Sequence, residues 1–262
     1  MNKLYVVKIG GNVLDNPSML NSFLSDFASI REPKILIHGG GKIATKLGDQ
    51  LGITSNYVKG RRITDEATLD VVTMVYGGLV NKQIVSTLQQ LGANALGLTG
   101  ADGNMIKAVK RPVGDIDYGF VGDITPASVN SSLLYFLLKQ NTIPVFAPLT
   151  HADGKMLNTN ADTIASVLAI ALSKHFDVRL IFCFEKKGVL RDVGDDNSVI
   201  THLPRTLYTE LLQANALVDG ILPKLENAFA AINAGVKEVL IGEATGLLQN
   251  TGKETAGTLI TH

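Results

Sequence analysis

The sequence predicts an α/β protein: a mainly parallel sheet covered by helices on both faces. Two observations predict it. Short runs of apolar and β-branched residues that end in glycine or a turn recur along the chain, and stretches with apolar residues at helical spacing separate them. Strands that alternate with helices in this way pair in parallel, because each helix carries the chain back across a face of the sheet. At 262 residues there is room for one large domain or two fused lobes.

Tyr5–Ile9 is the first strand and runs straight into Gly10-Gly11. Asp15-Asn-Pro17 starts a helix, with Pro at its first turn and Leu20, Phe23, Leu24 and Phe27 on one side. Pro33 ends it. Lys34–His38 is the second strand, and Gly39-Gly40-Gly41 leads into a helix bearing Ile43, Leu47 and Leu51. Gly60–Thr64 is extended. Thr64 is expected to cap a long helix whose buried face reads Leu69, Val72, Tyr76, Leu79, Ile84 and Leu88, stopping at Gly92. Asn94–Leu98 is a strand and Thr99–Gly103 a turn cluster; Met105–Val109 and Phe120–Ile124 are expected to pair as a hairpin. Pro126–Asn141 reads as a helix and Ile143–Pro148 as a buried strand. A turn at Ala152–Gly154 precedes Leu157–Asp162 and an apolar helix to about Ser173. The pattern restarts near Asp177, which places a lobe boundary near residue 174 and divides 1–174 from 175–262. The second part offers a strand at Val178–Phe184, a loop at Glu185–Gly188, helices at Arg205–Asn215 and Pro223–Ala234, and strands at Val236–Ile241 and Thr258–Ile260.

Composition narrows the function classes. Lys plus Arg equals Asp plus Glu, 24 each, so no overall basic excess points to nucleic acid or an anionic membrane. The apolar runs are too short to span a bilayer. The single cysteine, Cys183, cannot form an internal disulfide and reads as a buried thiol. No secretory segment precedes the first strand, so a cytoplasmic protein is expected.

Four constellations carry chemistry. Lys8, near the end of a buried strand, is costly there unless a partner or an anion meets it, and Gly10-Gly11 would let backbone N–H groups approach a ligand; a snorkelling lysine beside an ordinary turn is the plainer reading. Gly39-x-Gly41-x-x-Ala44 after a strand fits the local form of a dinucleotide fingerprint. No acidic residue stands where the ribose partner belongs, so the turn indicates an anion at a helix start without saying which. In Asn158-Thr-Asn-Ala-Asp162, two amides and a carboxylate open an apolar helix; a cap explains one of them better than three. Lys224 after Pro223 falls in a first helical turn, where a cation opposes the helix dipole unless an anion lies opposite. A Walker loop, a zinc-type cluster and a serine-hydrolase elbow are all missing from the sequence, and His151, His175 and His202 read as surface residues.

Together these pieces resemble the N-acetyl-L-glutamate kinase family of the amino acid kinase superfamily. The likeness covers essentially the whole chain. It is carried by the order and spacing of Val7–Gly11, His38–Gly41, Gly60–Thr64, Asn81-Lys82, Gly97–Gly100, Asp102-Gly103, Gly119–Asp123, Asn158–Asp162 and Pro223-Lys224. The resemblance implies an open αβα sandwich of two lobes, with the acylated amino acid held by the first and ATP with Mg²⁺ by the second. It implies that Lys8 and Lys224 stabilise the transferring phosphoryl, that Asp162 holds both lysines, and that Gly11 and Gly39–Gly41 donate N–H groups. Gly40, Gly41, Arg62, Asn158 and Asn160 would bind substrate. Gly10, Glu185, Lys186, Lys187, Gly188, Val189, Leu190, Ala216, Leu217 and Val218 would line the nucleotide site, and no protein-held metal is implied.

Glu185-Lys186-Lys187 departs from the nucleotide loop usual in the family. The chain opens at the first strand, without the extra helix that builds hexamers in arginine-inhibited members. The expectation is therefore an arginine-insensitive homodimer in contact through Asp65–Leu91. N-succinyl-L-glutamate is an alternative substrate, and another amino acid kinase, a dinucleotide-dependent oxidoreductase and a ligand-binding sensor are the competing readings.

Overall fold

The computed structural model describes residues 1–184, 186–192, 194–214, 217 and 221–262, the side chain of Pro223 excepted. In chain order the first elements are β1 (Lys3–Ile9), α1 (Gly11–Asp15), α2 (Pro17–Ser29), β2 (Lys34–His38), α3 (Gly41–Gln50), β3 (Tyr57–Val58) and β4 (Arg61–Arg62). Next come α4 (Glu66–Val72), a π-helical segment (Thr73–Val80) and α5 (Asn81–Gln90), which together form the long helix read from the sequence. Then follow β5 (Ala95–Leu98), β6 (Val109–Lys110), β7 (Gly122–Asp123), α6 (Ser131–Lys139), β8 (Ile143–Phe146), β9 (Leu149–Ala152), β10 (Lys155–Asn158) and α7 (Ala161–Leu172). The last are β11 (Asp177–Phe184), β12 (His202–Leu203), α8 (Arg205–Gln213), α9 (Leu222–Asn233), β13 (Glu238–Glu243), α10 (Leu247–Thr251) and β14 (Thr258–Ile260).

The main sheet has eight strands among the described residues, in the order β12-β14-β13-β11-β1-β2-β8-β5. The strands from β13 to β5 are parallel; β14 runs antiparallel to β13. The expected αβα architecture is therefore the observed one. Strand alternation assigns side chains to two separate cores. Leu4, Val6, Ile35, Ile37, Leu180 and Phe182 pack with residues of α6, α7, α8 and α9, such as Leu134, Leu168, Tyr208 and Phe229. Tyr5, Val7, Ile9, Leu36, Ile181 and Cys183 pack on the other face with Phe23, Phe27, Ala44, Tyr76 and Ile84.

Several elements differ from the sequence reading. Asp65, not Thr64, caps the long helix: its Oδ1 accepts from the Thr68 N–H at 2.8 Å, while Thr64 is fully buried. The buried face of that helix also shifts. An unbroken α-helical period puts Leu79 inside, but the wider π turn adds a residue to the repeat, so Tyr76, Val80, Ile84 and Leu88 are buried and Leu79 is exposed. Pro126 opens a 3₁₀ turn and the helix proper waits for its Asn130 cap. The expected hairpin is reduced to β6 against β7. The β9–β10 pair, β12 and α10 were not expected at all; they are short and polar, or lack a sustained period.

Gly119 ties the β7 region to the start of the long helix. Its φ is +73°, and a Cβ there would lie 2.2 Å from the Thr64 carbonyl oxygen, which already accepts the Phe120 N–H at 2.7 Å. Gly119→Ala should therefore destabilise the protein by about 2–3 kcal/mol and lower Tm by roughly 5–10 °C, read by thermal unfolding.

Candidate active site

The parallel strands end together, and the glycine turns lie at their carboxyl ends. In sheets of this kind that edge is where ligands collect, because the chain leaves it in loops and helix starts. Gly10-Gly11 leaves β1 and Gly39–Gly41 leaves the adjacent β2, whose register sets Ile9 against His38. Gly40 caps α3 with φ +145°, and a Cβ there would press on the Tyr76 ring at 2.9 Å. No side chain fits that position, so the turn lies directly against the aromatic face.

Lys8 belongs to the strand face shared with Val6 and Phe182, the face covered by α7 and α9. Its amine meets Asp162 Oδ1 at 2.8 Å, with the lysine side chain 15% exposed and the aspartate 32%. Asp162 lies in the first turn of α7, where a carboxylate also suits the helix dipole. A Cβ on Gly10 would stand 3.8 Å from that amine, so the first glycine turn passes beside it. Lys224, in the first turn of α9, places its amine 3.6 Å from the centre of the Phe184 ring. Phe184 is two residues beyond Phe182, which pairs with Lys8. Strand geometry sets the Lys8 and Phe184 backbones roughly 8 Å apart on one face. The two lysines thus reach the same end of the same sheet face from a strand and a helix far apart in sequence.

Next to the second glycine turn is a cavity of about 270 Å³, lined by Gly39–Gly41, Tyr57, Arg62, Tyr76, Arg111, Asn158, Asn160 and Thr163, among others. That volume suits an amino-acid derivative. Arg62 is 7% exposed, and its guanidinium donates to the Gly41 carbonyl at 2.8 Å, to Thr45 Oγ1 at 2.9 Å and to Ser55 Oγ, with the Tyr57 ring at 4.8 Å. All of these acceptors are neutral, and among the described residues no carboxylate pairs with it. A buried guanidinium with neutral partners favours an anionic ligand. Arg111, by contrast, is held by both oxygens of Asp123, the shortest contact being 2.6 Å. Asn158 donates to Thr64 Oγ1 at 3.0 Å, and Asn160 Oδ1 caps α7 by accepting the Thr163 N–H at 3.0 Å. The cap expected within this motif is thus Asn160, while Asp162 is left for Lys8. Tyr57, Tyr76, Arg111 and Thr163 were not singled out in the sequence. Tyr76 follows the apolar period of its helix, and nothing in the linear order of Arg111 separates it from surface arginines.

Beyond β11, Lys186 pairs with Asp196 at 2.8 Å and Lys187 donates to Asn197 Oδ1 at 3.2 Å, both exposed. Gly188 lies against Thr258 and Val199, where a Cβ would fall 2.6 Å from Thr258 Oγ1. The Val189 N–H is taken by that same hydroxyl, and the Val189 side chain is buried. Leu190 bridges Val199, and Leu217 packs on the α9 side of the core. Glu185, Ala216 and Val218 lie outside the described residues.

His38 is fully buried behind the second glycine turn. Burial pushes its imidazole down to about 4; the bond to the Gly39 carbonyl opposes this and the Lys82 charge adds to it.

An amino acid kinase family model matches residues 3–243. An acetylglutamate kinase of Parabacteroides distasonis is 56% identical over 96% of this chain and 98% of its own length. Among solved structures, a protein of Streptococcus mutans UA159 superposes with a TM-score of 0.76 at 28% identity, covering 99% of this chain and 98% of that one. An N-acetylglutamate synthase from Neisseria gonorrhoeae, complexed with coenzyme A and N-acetyl-glutamate, gives 0.81 at 25% identity, covering all of this chain and 59% of that one. The chain belongs to the amino acid kinase family and, within it, to the N-acetylglutamate kinase family.

The buried imidazole yields a stability prediction. His38 is depressed from its ordinary 6.5 to about 4, so the unfolded chain binds the extra proton first as pH falls. Its contribution is present above about pH 6.5 and is lost towards pH 4. The unfolding free energy of the wild type minus that of His38→Asn should shrink by roughly 3 kcal/mol across that window, read by denaturant unfolding at each pH.

Proposed function

We propose that this protein is an ATP-dependent kinase of N-acetyl-L-glutamate, forming N-acetylglutamyl 5-phosphate on the way to arginine. The observation that carries the reading is Arg62: a buried guanidinium with neutral partners, at the wall of a small cavity beside a glycine turn. It suits the α-carboxylate of an acylated amino acid, which its planar fork can bind at two oxygens. The similarity to acetylglutamate kinases supplies the acyl group and the reaction. Arg111 agrees with acetyl, since Asp123 already occupies its guanidinium and a third substrate carboxylate would have to displace it.

The γ-carboxylate is ionised at neutral pH, so no general base is required. One of its oxygens attacks the γ-phosphorus of ATP, the bond from that phosphorus to the bridging oxygen breaks, and ADP leaves with the electron pair. The obstacle is repulsion between anions: two unit charges 4 Å apart cost about 4 kcal/mol at an effective dielectric near 20. Lys8 and Lys224 offset it, with N–H groups from Gly11 and the Gly39–Gly41 turn, while Asp162 spaces the amines and fixes Lys8. The groups gathered here are cations and N–H donors, which fit phosphate oxygens. Asp162 is engaged by Lys8, so Mg²⁺ is assigned to the nucleotide's own phosphates and not to a protein cage. Residues 1–174 hold the acylated amino acid and residues 175–262 the nucleotide.

We assign the homodimer contact to the outer side of the long helix. Met74 and Leu79, one π turn apart, are exposed, as is Leu96 on the edge strand β5. Among the described residues no helix is long and apolar enough to cross a membrane.

Coupled ADP release should show turnover with N-acetyl-L-glutamate, less with N-succinyl-L-glutamate and little with free glutamate; no turnover with any acylglutamate refutes the reading. Lys8→Ala and Lys224→Ala should each lower kcat by about 100-fold or more and change the KM for ATP little. Arg62→Ala should instead raise the KM for the acylated substrate by about 10-fold or more. Replacing Met74 and Leu79 by Glu should convert a dimer to a monomer in light scattering.

A further inference from the structure

Three stretches of sequence that lie far apart meet behind the second glycine turn. His38 ends β2, Asn81 opens α5, and Gly97 belongs to the edge strand β5. Both His38 and Asn81 are fully buried. Asn81 Nδ2 lies 2.9 Å from the Val145 carbonyl oxygen and 3.2 Å from His38 Nε2. His38 Nδ1 lies 2.7 Å from the Gly39 carbonyl oxygen. Asn81 Oδ1 accepts from Lys82 Nζ at 3.2 Å, and that amine also reaches the Gly97 carbonyl. A Cβ on Gly97 would fall 2.0 Å from Asn81 Oδ1, so glycine is what leaves room for the amide.

The proton positions in this chain of bonds follow from one group. The Val145 carbonyl can only accept, so the Asn81 amide must turn its NH₂ that way. Its second N–H then points at His38 Nε2, which must accept. An imidazole that accepts at Nε2 and is neutral carries its proton on Nδ1, and Nδ1–H donates to the Gly39 carbonyl. The oxygen of the Gly39–Gly40 peptide is thereby anchored inward. A trans peptide sets its N–H opposite its C=O, and the structure has no cis peptide among the described residues. Anchoring the Gly39 oxygen on His38 therefore aims the Gly40 N–H away from the core, on the side where the cavity opens. Among the described residues that N–H meets no protein acceptor.

We infer that His38 is a positioning residue: held as the Nδ1–H tautomer by Asn81, it fixes the peptide plane that presents the Gly40 N–H to the substrate side of the site. The inference rests on the kinase reading for what that N–H meets; the tautomer itself does not depend on it. His38 touches neither substrate nor phosphoryl and acts only through the backbone.

Two measurements test it on the full chain. In ¹⁵N-histidine-labelled wild type, with His38→Asn used to assign the signal, His38 should show a protonated Nδ1 and a bare Nε2 across neutral pH. A bare Nδ1 or an imidazolium overturns the inference whatever the enzyme acts on. The second measurement separates the two ring nitrogens. An asparagine side chain places its amide nitrogen where Nδ1 stands, and a glutamine places its polar atoms where Nε2 stands. His38→Asn should keep kcat within about 3-fold of wild type, while His38→Gln should lose about 10- to 100-fold in kcat with a smaller change in KM. If both variants lose activity together in proportion to their loss of Tm, the residue is merely structural and the inference fails. Absence of wild-type turnover would refute the kinase reading and leave the tautomer measurement to decide the inference.

Discussion

A lysine amine near the end of a buried parallel strand is tolerable here because a carboxylate from α7 meets it at 2.8 Å. That contact ties the middle of the sheet to the helix laid across it, and the rest of the site is arranged around it. The Gly10 turn passes beside the amine: a Cβ there would stand 3.8 Å from it, at ordinary contact distance. The second lysine comes to the same face because α9 packs there through Leu225, Ala228, Phe229 and Ile232. A concentration of positive charge that would destabilise an ordinary core is, in the function we propose, the place that receives phosphate.

The cavity depends on a different balance. Its wall keeps one guanidinium neutralised and leaves the other with neutral acceptors, so Arg111 and Arg62 differ in what they can still bind. The long helix contributes through its π segment, which turns Tyr76 towards the glycine turn while Val75 and Val80 stay in the core. A regular helix would put those side chains in a different phase, and the aromatic wall of the cavity would move with them.

Much of this was legible in the linear sequence, and the parts that were not share a cause. The main strands and helices could be read because each buries a periodic face that local spacing reveals, as in Tyr5, Val7 and Ile9 against α2. Lys8, the glycine turns and the Asn158–Asp162 motif could be read because their residue types are costly or unexplained where they fall. The phase change at Thr73–Val80 could not, because a π turn has no residue signature that α-helical periodicity shows. The link from His38 to Asn81 spans 43 positions and Arg111 finds Asp123 across a short ladder, so both are products of packing. Asp65 displaced Thr64 as a cap because Thr64 is drawn into the interior and spends its hydroxyl on Asn158.

β1 belongs to the first part of the chain and β11 to the second, yet the two are zipped together over seven consecutive register pairs. The two halves are therefore not beads on a string. Sliding one along the other would break that ladder, so relative motion of the two parts has to twist the sheet they share or be confined to the loops and helices above it. In this architecture one continuous sheet carries both parts of the chain.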